Sequence, residues 1–176
     1  MARDDAAGRL TLVLGGARSG KSRYAESLIT AEPPPFLYVA TAEAGDAEMA
    51  NRIAIHRARR DERWRTVEAS HDLAGALRAA PAGSAVLVDC LTLWLSNRML
   101  AEADIDREID ALEAALAKHE GALVLVSNEV GLGIVPDNAL ARRFRDLQGT
   151  LNQRLAAQAA RVVMMVAGLA VPVKSP

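Results

Sequence analysis

The run Leu10-Thr11-Leu12-Val13-Leu14 passes without a break into Gly15-Gly16-Ala17-Arg18-Ser19-Gly20-Lys21-Ser22, and that junction limits the fold more than any other stretch of the chain. An apolar strand that ends in closely spaced glycines must turn its backbone sharply, and Ser22 to Thr30 reads as the helix that follows. The spacing Gly-x-x-x-x-Gly-Lys-Ser is that of a phosphate-cradling P-loop. Its glycines let backbone N–H groups turn inward, the helix offers its positive end, the lysine reaches the β- and γ-phosphates, and the serine hydroxyl ligates Mg²⁺. A Gly-rich βα turn with an incidental lysine carries the same letters, so the remainder of the chain has to supply the partners.

Further apolar runs recur at Phe36–Ala40, Ala85–Asp89, Ala122–Ser127 and Arg161–Ala167, each apolar on both faces, as strands buried between two helical layers should be. Helical patterns separate them: Asp46–Arg63, Leu91–Leu100, Asp104–His119 and Asn138–Ala159. Alternating β and α predicts an α/β, three-layer P-loop NTPase (RecA-like) fold with a mostly parallel central sheet flanked by helices. Leu169–Lys174 is expected to hairpin back through Gly168 as an edge strand, where Pro172 is tolerable. With 176 residues, the expected organisation is a flexible extension over residues 1–9 and a single P-loop domain over residues 10–176.

Composition excludes some functions. A net charge of −1 leaves no electrostatic footprint for nucleic acid, so no nucleic-acid partner is expected. The most apolar stretch, Val162 to Val173, is about half the length of a membrane span and contains Pro172, so membrane insertion is not expected either. One cysteine, Cys90, forms no intramolecular disulfide, and the amino terminus carries acids where a secretory signal needs an apolar run; both point to the cytoplasm.

A phosphate-binding loop needs an acid at the end of another buried strand, to hold Mg²⁺ directly or through water together with Ser22. Asp89 ends Ala85-Val86-Leu87-Val88 and occupies that place; its other reading is a cap for the helix beginning near Leu91. The strands of Ser22 and Asp89 are expected to lie side by side. A third feature is DAEMANRIAIHRARRDER, residues 46–63, with Asp46 as its expected N-cap. Met49, Ile53 and His56 share one helical face, which directs His56 inward or along a cleft, and Arg52, Arg57, Arg59, Arg60 and Arg63 crowd around it. A lone histidine on such a face is ordinarily a satisfied core-edge residue. Beside arginines and a nucleotide it has a sharper option, attack on an α-phosphate to carry a nucleotidyl group.

The stretches GGARSGKSRYAE, YVATAEAGDAEMANRIAIHRARR, WRTVE, VLVDCLTLWLSN, VSNEVGLGIVP and ARRFRDLQGTLNQRLA, in this order, resemble the bifunctional adenosylcobinamide kinase/adenosylcobinamide-phosphate guanylyltransferase family of cobalamin biosynthesis. The resemblance runs from about Leu10 to Lys174. It implies phosphorylation of adenosylcobinamide with ATP or GTP, then transfer of GMP from GTP to that phosphate, with pyrophosphate released. It implies Mg²⁺ as cofactor, a guanylylated histidine that falls on His56, and a homotrimer. Nucleotide contacts carry over to Gly15–Ser22, to Thr41, Ala42 and Glu43, to Arg57, Ala58, Arg59 and Arg60, and to Glu68 and Asp89. Lys21 and His56 are the implied catalytic pair.

Asn128-Glu129-Val130-Gly131 closes a strand at the same sheet edge and is expected to line the site, whereas Arg142, Arg145 and Asp146 face either the corrinoid or a neighbouring subunit. His71 and His119 read as structural. Two other readings keep the P-loop: a small-molecule kinase without nucleotidyl transfer, which would leave His56 idle, and a RecA-like NTP-binding module.

Overall fold

The computed structural model describes residues 10–45 and 47–176, without the side chains of Glu48, Met49, Arg52 and His56. The expected extension over residues 1–9 and the N-cap reading of Asp46 therefore lie outside the described residues. A seven-stranded sheet runs in the order β3-β2-β4-β5-β1-β6-β7. Its strands are β1 (Leu10–Gly15), β2 (Phe36–Ala40), β3 (Trp64–Glu68), β4 (Ala85–Asp89), β5 (Leu123–Asn128), β6 (Arg161–Val166) and β7 (Leu169–Lys174). Neighbours pair in parallel except β6 with β7, which are antiparallel. The helices are α1 (Lys21–Ile29), α2 (Ala47–Ala58), α3 (Leu73–Arg78), α4 (Leu91–Leu100), α5 (Ile105–Leu116) and α6 (Ala139–Gln158).

The period of two divides each strand between two cores. Leu10 and Leu12 of β1 join Val39, Val86 and Val88 beneath α3, α4, α5 and α6. Val13 faces the other way and joins Tyr38, Leu87 and Val126 beneath Ala25 and Ile29 of α1. Runs that are apolar on both faces are thus what a sheet between two layers requires. The C-terminal hairpin forms as expected: Ala167 and Gly168 take φ of 50° and 82°, the two left-handed positions of a tight hairpin turn.

Two expectations are corrected, and two elements appear that the pattern did not show. The strands that carry the glycine loop and Asp89 are not neighbours, because β5 lies between β1 and β4. The helix expected over residues 46–63 ends at Ala58. There Asp61 takes the Arg63 backbone N–H at 3.0 Å and its guanidinium at 2.7 Å, which fixes a turn in place of another helical one. That turn lets Trp64 open β3, a strand not foreseen, whose indole packs on Phe36 and Tyr38 at centroid distances of 5.0 and 6.3 Å. Helix α3 was not foreseen either; Asp72 caps it by accepting the Gly75 N–H at 2.8 Å.

Candidate active site

Strand β1 delivers the chain to the carboxyl edge of the sheet, where a parallel α/β sheet presents its ligand crevice. Gly15 sits there with φ of 151°, and a Cβ at this position would lie 2.6 Å from both the Met165 carbonyl oxygen and Ser19 Oγ. Gly20 takes φ of 96° and opens α1 with no side-chain cap, which leaves the helix N-terminus free for an anion. The hairpin tip steadies the loop from the side, as the Gly168 N–H donates to the Ser19 carbonyl at 3.1 Å.

Lys21 is buried, and its ammonium donates to the Gly16 carbonyl at 2.6 Å. Burial pulls its pKa below the usual lysine value, while the nearby Cys90 and Asp89 act in the opposite direction. Asp89 ends β4 on the same side of the sheet. Its Oδ2 is buried without a hydrogen-bond partner among the described residues, and the cap position of α4 belongs to Cys90, which makes no side-chain cap bond. Capping therefore does not account for Asp89.

Thr41 is fully buried just past β2. It ties the two strand ends together, its Oγ1 donating to the Cys90 carbonyl at 2.6 Å and accepting the Cys90 N–H at 2.8 Å. The backbone that follows carries Ala42 and Glu43 into the cavity wall. Glu43 meets His71 Nε2 at 3.0 Å, and Arg98 donates to His71 Nδ1 at 3.2 Å, so His71 braces a wall residue. His119, buried, has its Nε2 at 2.8 Å from the Ser84 carbonyl and does not line the cavity.

The arginine segment separates into distinct roles. Arg57 pairs with Glu68 at 2.7 Å. Arg60 lays its guanidinium 3.6 Å over the Tyr38 ring and keeps a buried Nη1 without a partner among the described residues, while Ala58 is exposed at the helix end. Glu26, on α1, also has a buried oxygen without a partner among the described residues; burial raises its pKa, and Asp89 pushes the same way against Arg59, Arg60 and Arg23. Tyr38 and Glu26 were not singled out in the sequence; Tyr38 reads there as one more letter of a buried strand.

These elements surround a cavity of about 1340 Å³. That exceeds the ~300–1,000 Å³ typical of sites for one small ligand. Ala17, Arg18, Ser19, Gly20, Lys21 and Ser22 form one wall. Asp89, Glu43, Glu68 and Arg57, Arg59 and Arg60 line the cavity as well. Gly15, Gly16, Thr41 and Ala58 do not reach the lining but hold residues that do; the side chain of His56, within α2, lies outside the described ones.

The family model described as cobinamide kinase / cobinamide phosphate guanyltransferase matches residues 11–173. This chain belongs to that family. It is 51% identical over 166 residues to the bifunctional adenosylcobalamin biosynthesis protein CobP of Pseudomonas aeruginosa, covering 93% of this chain and 96% of that one. It is 44% identical over 182 residues to the protein CobU of Salmonella typhimurium, named in the same words, covering 94% and 99%. A solved structure from Pyrococcus horikoshii OT3 shares the fold at 9% identity, with a TM-score of 0.56 over 96% of this chain and 87% of that one. The two activities in the family's description, phosphorylation of cobinamide and guanylyl transfer to its phosphate, are those of an enzyme of cobalamin biosynthesis.

The Cys90 thiol is buried and pushed up to about 11, first by burial and then by the Asp89 carboxylate. Iodoacetamide at pH 8 is therefore expected to alkylate the folded protein on the order of 10²-fold more slowly than the urea-unfolded chain, because so little thiolate is present. Equal rates measured by mass spectrometry would show Cys90 to be open to solvent.

Proposed function

We propose that this single cavity performs both family reactions on adenosylcobinamide. The observation that carries the reading is the convergence of Lys21, Ser22 and Asp89 with Arg57, Arg59 and Arg60 on one cavity with room for more than a nucleotide. In the first reaction the aminopropanol hydroxyl attacks the γ-phosphorus of ATP or GTP, the new O–P bond forms, and the bond to the β-phosphate oxygen breaks. In the second, His56 attacks the α-phosphorus of GTP and pyrophosphate leaves. The substrate phosphate then displaces the imidazole, giving adenosylcobinamide-GDP.

The glycine loop and the open end of α1 supply backbone donors to the phosphates. Lys21, which here donates to the Gly16 carbonyl, would donate instead to the β- and γ-phosphates, and a phosphate anion offsets the burial of its charge. Arg60, anchored on Tyr38, keeps a free Nη1 for charge that gathers on phosphate oxygens. Bound Mg²⁺ supplies charge neutralisation at the transferring and leaving oxygens. The residues fit it: a buried, unpartnered Asp89 oxygen and the Ser22 hydroxyl face one cavity, and Mg²⁺ is commonly held by one carboxylate with the rest of its shell drawn from phosphates and water.

A homotrimer is part of the same proposal. It is supported by β7, exposed along its length with Leu169, Val171 and Val173, and by Leu132, Ile134 and Val135 in the loop after β5, which leave apolar surface for other copies of the chain. Arg142 and Arg145 spend their guanidinium groups on carbonyls of that loop, at Pro136, Asp137 and Gly131. No helix among the described residues is long and apolar enough to cross a membrane, and a cytoplasmic location belongs to the proposal.

Product analysis after mixing the protein with Mg²⁺, GTP and adenosylcobinamide tests the reading. Adenosylcobinamide-GDP and pyrophosphate are expected, and nucleotide hydrolysis without transfer to the corrinoid would reject it. Asp89→Asn is expected to weaken the apparent Mg²⁺ affinity about 10- to 100-fold while metal-free nucleotide binding changes little. An unchanged Mg²⁺ titration would remove Asp89 from the metal.

A further inference from the structure

We propose that Asn128, the last residue of β5, donates its carboxamide N–H to the terminal phosphate of the bound nucleotide and steadies the charge that collects there during phosphoryl transfer. The proposal rests on the reading of the cavity as a nucleotide site. Strand β5 lies between the two strands that frame the chemistry, and Asn128 stands level with Gly15 in the β1 register, two residues beyond Val126, the partner of Asp89. Residues two apart share a sheet face, and Val126 belongs to the core beneath α1. Asn128 therefore projects on the α1 side, between the glycine loop and Asp89, and it lines the cavity.

Its backbone is held at both ends. The Asn128 N–H donates to Thr92 Oγ1 at 2.8 Å, and its carbonyl accepts from Asn152 Nδ2 at 3.1 Å. Behind it, on the opposite face, Ser127 Oγ donates to Asn152 Oδ1 at 2.7 Å, and Gln148 Nε2 donates to Ser127 Oγ at 2.9 Å and to Asn152 Oδ1 at 3.0 Å. Gln148 and Asn152 are buried polar residues on the core face of α6, where Leu151 and Leu155 pack. Two amides in such a place weaken an apolar core unless their bonds serve a purpose, and here they fix the end of β5 from behind. The Asn128 carboxamide itself has no partner among the described residues and is half-buried at the cavity wall.

A rigid frame with one free donor is the arrangement that stabilises developing charge without reorganisation. In phosphoryl transfer that charge spreads over the equatorial oxygens of the moving group, so a neutral N–H fixed beside it binds the transition state more strongly than the ground state. Lys21 and the arginines supply net charge; Asn128 supplies direction.

The test is steady-state phosphorylation of adenosylcobinamide by ATP with wild type, Asn128→Ala and Asn128→Asp. Loss of the donor should lower kcat about 10²-fold and leave KM for ATP within about threefold. Asn128→Asp should be slower still, because an acceptor-only carboxylate faces the phosphate. Asn152→Ala should also lower kcat, and Asn128→Ala with Asn152→Ala should be no slower than Asn128→Ala alone, since Asn152 acts through Asn128. If thermal melting shows that Asn128→Ala is unfolded, Asn128→Ser, too short to reach the phosphate, should show the same kcat loss in a folded protein. A kcat within about threefold of wild type, equal rates for the alanine and aspartate variants, or additive losses in the double variant would each overturn the proposal. Full activity in Asn128→Ala beside an inactive Lys21 variant would sink this inference alone, whereas a wild type that transfers no phosphate sinks the functional reading and this inference with it.

Discussion

Lys21→Met is expected to slow adenosylcobinamide phosphorylation and guanylyl transfer together, each by about 10²-fold or more, the usual loss when one preorganised charge stabiliser is removed. The coupling is a consequence of the single-site proposal: the described structure presents one glycine loop, Lys21 is its lysine, and one cradle would serve both reactions. Methionine keeps the long apolar stem and deletes only the ammonium. That deletion also separates catalysis from folding. The buried ammonium has a pKa below the ordinary lysine value, so the unfolded chain binds its proton more tightly than the folded one. A lysine depressed in this way costs stability wherever it is charged in both states; the cost begins to fall as the pH rises through the folded pKa and is gone above the unfolded one. Lys21→Met is therefore expected to melt at or above the wild-type temperature while losing both activities. Retention of either activity near wild type would dismantle the single-site proposal.

The junction from Leu14 into Gly15 was legible because it combines two local signals, a two-faced apolar strand and glycines that must adopt positive φ, and neither depends on distant contacts. The same holds for Ala167-Gly168 and the hairpin it closes. Asp89 stood out for a related reason: an acid at the end of a fully apolar run has only a helix cap as its structural excuse, and its Oδ2 has no partner among the described residues. Strand β3 was not legible, because an edge strand with exposed Arg65 and Glu68 carries only Trp64, Thr66 and Val67 as its pattern, and the helical signal of the arginine run spilled over it. The place of β5 between β1 and β4 lay beyond the local pattern altogether, since strand order is set by where the crossover helices pack and not by which residues a strand contains. That one strand matters most for the site. It moves Asp89 one position away from the loop and brings Asn128 into the gap between them.

The second large effect concerns His56. If its imidazole attacks the α-phosphate, Mg²⁺ and GTP alone should leave one GMP on the protein and release pyrophosphate before any corrinoid is present, because a covalent intermediate divides the transfer into two steps. Imidazole suits both steps, as its pKa near working pH keeps a neutral nucleophile available and makes it a good leaving group once protonated. The bond is a phosphoramidate, so the label should be lost in acid, where the nitrogen is protonated, and kept in alkali. His56→Asn should abolish labelling and slow GMP transfer by about 10³-fold or more, as loss of a nucleophile does. Phosphorylation of adenosylcobinamide should survive in that variant, since the first reaction as proposed relies on Lys21, Ser22 and Asp89 and needs no histidine nucleophile. That split, with kinase kept and transfer lost, is the reverse of the joint loss expected for Lys21→Met, and it distinguishes a nucleophile from a residue that only holds α2 in place. Labelling with α-phosphate-labelled GTP measures it directly: a protein that takes up no label, or a His56→Asn variant that still does, would return His56 to the role of an ordinary helix residue.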